Sequence, residues 1–109
     1  MHCLIRRLAP AIVAAGLAVA ADAARAETHT IVIQFFQFKP QAVEVKAGDE
    51  VQWVNRDLLE HTATASNNAF DSKGIRAGQT WKWTAKAPGE YAYVCSFHPN
   101  MKGVVKVVP

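Results

Sequence analysis

An all-β sandwich or small barrel is the fold this sequence predicts, on three observations. Apolar and polar residues alternate at a period of two through most of the chain after residue 30. Glycine, proline and asparagine turns cut that pattern into short runs spaced as in all-β domains. No stretch repeats apolar residues at the helical period, and there is no internal repeat or linker.

The elements follow in order. Ile31-Val32-Ile33-Gln34-Phe35-Phe36 reads as the opening strand, broken at Phe38-Lys39-Pro40. Val43 and Val45 alternate with Glu44 and Lys46 up to a turn at Ala47-Gly48-Asp49. Val51 and Trp53 then alternate with Gln52 as far as Asn55-Arg56-Asp57. A segment carrying His61 comes next, then a polar, irregular stretch from Ser66 to Gly74. Past Gly78, Thr80-Trp81-Lys82-Trp83-Thr84 places two tryptophans on one face. Pro88-Gly89 turns the chain into Tyr91-Ala92-Tyr93-Val94-Cys95, and Gly103 to Val108 closes it. Such strands argue for antiparallel pairing. Trp53, Trp81, Trp83, Tyr91 and Tyr93 read as core and sheet-face packing, since aromatic rings suit a half-buried pleated surface.

The amino terminus reads as a signal peptide, residues 1–26. Arg6 and Arg7 are the only charges before Leu8–Ala21, an uncharged run too short to span a bilayer. Ala24-Arg25-Ala26 then supplies a small-x-small cleavage pattern, with an earlier cut after Ala23 as the alternative. The expected product is one exported domain, residues 27–109, in a bacterial periplasm with no membrane insertion. Removing Arg6, Arg7, Arg25 and Asp22 from totals of 12 basic and 9 acidic residues leaves a formal charge of about +1. Nothing there suggests a nucleic-acid partner. Cys3 departs with the leader, so Cys95 is alone and an intramolecular disulfide is excluded. A single thiol in an oxidising compartment is a liability unless it is buried or held by a metal.

Cys95-Ser96-Phe97-His98-Pro99-Asn100-Met101 puts a thiolate, an imidazole and a thioether in one short loop, and His61 stands 34 residues before Cys95. Cysteine, two histidines and a methionine are the donor set of a blue-copper site, trigonal His2Cys with a weak axial Met. Zinc seldom takes a thioether. Taken singly, Cys95 is a buried small hydrophobe, His98 a surface histidine and Met101 core filling; the C-x2-H-x2-M run with an upstream histidine is what points to metal. His29, near the start of the domain, reads as solvent-exposed and not a ligand.

These residues resemble those of the cupredoxins. The resemblance runs through Phe38-Lys39-Pro40, Val45–Asn55, His61-Thr62, Pro88–Cys95 and His98–Gly103, which is most of the domain, and the short ligand loop is most similar to that of the amicyanins. It implies a Greek-key β-sandwich holding one type 1 copper on His61, Cys95, His98 and Met101. It also implies a carrier of single electrons, expected as a monomer, between transient redox partners such as a dehydrogenase, a cytochrome c or a copper enzyme. An enzyme is not expected, because the sequence has no His-x-His motif for a multinuclear copper centre and no second cysteine outside the leader for a binuclear one. A copper carrier delivering the ion to an assembling enzyme is the alternative, disfavoured because Met101 is the only methionine outside the leader. Phe97 departs from the proline of amicyanins and plastocyanins, and its N–H is expected to reach the Cys95 sulfur and raise the potential. Thr62 N–H is a second candidate donor to that sulfur. Lys39, Lys73 and Lys102 are expected to form a basic rim.

Overall fold

The computed structural model describes residues 25–109; the segment read as a signal peptide lies outside them except for Arg25 and Ala26. Alternating apolar residues build eight strands: β1 (Thr28–Gln34), β2 (Gln37–Lys39), β3 (Ala42–Lys46), β4 (Glu50–Asn55), β5 (Thr64–Ala65), β6 (Thr80–Thr84), β7 (Gly89–Cys95) and β8 (His98–Val108). They form two four-stranded sheets, ordered β2-β1-β4-β6 and β3-β8-β7-β5. The all-β sandwich is as expected.

The pairing is not wholly antiparallel. β1 runs parallel to β4, and β3 runs parallel to β8. The chain crosses between sheets at every connection from β2 to β7, so outside the β1–β2 and β7–β8 hairpins paired strands are not sequence neighbours. Period-two alternation is the same for either direction, so the pattern is silent on it.

Inward-facing residues of both sheets meet in one core. Ile31, Ile33, Val51 and Trp53 come from one sheet, and Val45, Tyr93, Val105 and Val107 from the other. Phe70, from the stretch read as polar loop, enters this core and stacks against Trp83 (4.6 Å between ring centroids) and Trp53 (5.3 Å). Trp81 and Trp83 pack against the same cluster half-buried, and Tyr91 Oη donates to Ala87 O at 2.5 Å.

Two strand ends differ from expectation. Phe35 and Phe36 do not extend β1; both have positive φ (54° and 55°) and form the two-residue turn of a β1–β2 hairpin. That turn type normally takes asparagine or glycine. Here the Asp57 carboxylate accepts both turn N–H groups, from Phe35 at 2.7 Å and Phe36 at 3.0 Å. β8 begins at His98, five residues before the predicted closing strand, and pairs back to Cys95 across the Ser96-Phe97 turn. The β1–β2 turn, the β4–β5 loop and the β7–β8 turn thus meet at one end of the sandwich.

Candidate metal centre

Three of the four predicted donors converge at that end. His61, Cys95 and His98 each offer an atom to a cluster within 4.8 Å, and His61 and Cys95 are fully buried. Cys95 Sγ lies 3.8 Å from His61 Nδ1 and 3.7 Å from His98 Nδ1. Bonds of about 2.0 Å to nitrogen and 2.3 Å to sulfur, opened to a trigonal angle, separate N and S by about 3.7 Å. The donors therefore stand as far apart as one shared ion requires. Met101 is buried three residues along β8 from His98 and lines a pocket with Phe36, Phe38, Lys39 and Lys102.

The donors come from three elements, since His98 and Met101 share β8. His61 sits in the β4–β5 loop, where it exchanges backbone hydrogen bonds with Ile75 (3.1 and 2.7 Å). Buried Asn55 scaffolds that loop, donating from Nδ2 to Leu59 O and Ile75 O, both at 2.8 Å, and accepting from Asp57 N–H at 2.9 Å. Asp57 Oδ2 then lies 2.8 Å from His61 Nε2. With a carboxylate on Nε2, the proton belongs there and Nδ1 is left free to ligate. Burial pushes the Asp57 carboxyl up, but the Phe36 and Phe35 N–H groups and the His61 ring outweigh it and hold it below the ordinary 3.8.

The sulfur has one backbone donor among the described residues, Thr62 N–H at 3.3 Å. The Thr62 hydroxyl meanwhile accepts Ser96 N–H at 2.8 Å, so it ties the His61 loop to the Cys95 loop. The Phe97 N–H makes no such bond: Phe97 lies in the two-residue turn with its side chain exposed, so the expected rise in potential loses its basis.

Sequence reading missed Phe36, whose ring meets His61 edge-on at 5.4 Å and His98 at 5.1 Å. Phe35, Leu58 and Leu59 line a surface pocket with it, Leu58 96% exposed, and Phe97 on the β7–β8 turn is exposed as well. This exposed apolar face runs along the His61 side of the site. Lys39 and Lys102 border it, while Lys73 pairs with Asp71 at 3.6 Å. His29, expected in solvent, is instead half-buried on β1 with Nε2 2.9 Å from Asp49 Oδ2.

Comparison with known proteins agrees with this geometry. The family description "cupredoxin-like domain" matches residues 7–107. The chain belongs to the cupredoxin-like family. It is 35% identical over 104 residues to amicyanin-alpha of Methylorubrum extorquens, covering 91% of this chain and 87% of that one. Among solved structures it is similar to the Cu(I) form of a methionine-to-alanine variant of amicyanin, at TM-score 0.70 and 26% identity over 74% of this chain and 82% of that one. It is also similar to part of the copper-containing nitrite reductase of Thermus scotoductus, at TM-score 0.71 and 28% identity over 75% of this chain. There it spans only 22% of the enzyme. The cofactor of this cupredoxin site is one type 1 copper, and His61, Cys95, His98 and Met101 match the blue-copper ligands.

Proposed function

We propose that this protein is a periplasmic blue-copper electron carrier, released from residues 1–26 on export, whose copper is held by His61, Cys95, His98 and Met101. The observation that carries the reading is a buried cysteine sulfur with two imidazole Nδ1 atoms at 3.7 and 3.8 Å, set against an exposed apolar face. Bound copper supplies a one-electron couple between Cu(I) and Cu(II).

The rest is the work of the protein's own groups. Asp57 fixes the His61 ring, and Thr62 N–H withdraws electron density from the Cys95 sulfur. Their anchoring to β4, β7 and β8 keeps the donors in one arrangement in either oxidation state, so little rearrangement accompanies each transfer. Phe36 and half-buried His98 give the electron a short way out at the apolar face. A small apolar contact with a basic border suits partners that bind briefly and leave, such as a dehydrogenase, a cytochrome c or a copper enzyme. Among the described residues no helix is long and apolar enough to cross a membrane.

Copper exchange separates this reading from copper delivery. The loaded protein is cycled between ascorbate and ferricyanide while a strong Cu(I) chelator competes. An electron carrier keeps its copper through repeated cycles; loss of the ion to the chelator in the first reduction makes the protein a copper donor instead.

A further inference from the structure

The other end of β1 gathers a second set of metal-binding groups. Glu27, His29 and Asp49 each present a ligand atom within 4.8 Å of the others. His29 Nε2 is 2.9 Å from Asp49 Oδ2 and 4.0 Å from Glu27 Oε2. Glu27 immediately precedes β1 and His29 is the second residue of that strand, so their side chains come together two residues apart; Asp49 reaches them from the β3–β4 turn. The Glu27 backbone nitrogen is 3.0 Å from Asp49 Oδ1. Cleavage after Ala26 makes that nitrogen a free α-amine.

We propose that Glu27, His29 and Asp49 form a second, divalent transition-metal site, whose fourth donor is the α-amine exposed by cleavage after Ala26. That last donor rests on the export reading above; the three side chains do not. Imidazole, amine and two carboxylates are ligands that Zn2+ and Cu2+ accept together. Without metal, protons fill the place of the ion: Asp49 accepts from Glu27 N–H, from Lys46 N–H at 2.9 Å and from the His29 ring. The Asp49 capping of the turn needs only the backbone donors; it does not call for an imidazole and a second carboxylate beside it. The cluster opens onto a surface pocket that Glu44 and Lys46 also line, so a cation has an entry path. Seven residues of β1 place it roughly 20 Å from the first centre, too far to share a ligand. A metal here clips the new amino terminus to the β3–β4 turn.

The test uses the full chain, expressed with its own leader and recovered loaded with one copper, so that the first site is filled. Intact mass assigns the first residue, and Zn2+ is then titrated by calorimetry with visible absorption followed in parallel. The expected result is one further equivalent of Zn2+, bound with the blue band intact. Binding should be at least tenfold weaker in His29→Ala and in a form extended at its start by Arg25-Ala26. His29 is half-buried on an edge of the fold, and an intact blue band in the variant shows that it has folded. No saturable binding, binding unmoved by His29→Ala, or heat that comes with bleaching of the blue band overturns the site. Equal affinity in the extended form removes the amine from the ligand set. A first residue other than Glu27 overturns the cleavage reading and the amine donor together.

Discussion

Asp57 does two jobs with one carboxylate. It accepts the N–H groups of Phe35 and Phe36, satisfying a turn whose residues are ill suited to positive φ, and it orients His61 through Nε2. Asp57→Asn keeps the shape but loses the charge and half of the acceptor capacity. Loss of such a partner typically weakens metal binding about 10- to 100-fold, so a chelator competition on this variant should read a drop of that size. An affinity equal to the wild type would show that His61 is oriented by its backbone alone. None of this was visible in the sequence, where Asp57 reads as a turn residue. The four proposed copper ligands were visible, because each bears chemistry that the pattern around it does not require. Side chains that act through a ligand carry no such mark: Asp57 and Asn55 are ordinary loop polar residues until the fold brings them to His61 and Ile75.

The β3–β4 turn makes a separate claim on stability. Asp49 is buried and accepts the Glu27 N–H, the His29 ring and the Lys46 N–H, which hold its carboxyl down at about 2 from an ordinary 3.8. A carboxyl lowered on folding stabilises the native state above its unfolded value and loses that contribution as pH falls through the folded value. The stability from Asp49 is therefore complete above about pH 4 and gone below about pH 2. Asp49→Asn should be less stable at neutral pH, with a shallower loss between pH 4 and 2, as followed by denaturant unfolding of the metal-free protein. A slope matching the wild type's would show that the carboxylate is not ionised by these contacts. Strand existence was legible at this level, since Val51 and Trp53 alternate with polar residues whatever the partner strand. Direction and ends were not. The parallel β1–β4 and β3–β8 pairs come from the chain crossing between sheets, and β8 starts early because His98 pairs back to Cys95. β5 is two residues long and leaves no periodic trace.

Across the whole domain, aromatic packing and the metal divide the labour. Phe70 lies among Trp53, Trp83 and Tyr93, closing the core from a loop that reads as polar because Phe70 is its only large apolar residue. Phe70→Ala should cost about 3–5 kcal/mol, seen as a lower denaturant midpoint with the slope unchanged. A loss below about 1 kcal/mol would mean that the site collapses to fill the space. Copper adds stability by binding the native state alone, by about 4 kcal/mol at a thousandfold excess over Kd. The metal centre is thus part of what holds a small domain with no disulfide, and its assembly is the claim on which the rest depends. A Cu(II) titration of the metal-free protein, followed by visible absorption, tests it most directly. An intense blue band that saturates at one copper per chain, bleaches with ascorbate and is absent in Cys95→Ser is the predicted result. A colourless adduct, or the same band in Cys95→Ser, would contradict a thiolate-copper centre at this end of the sandwich.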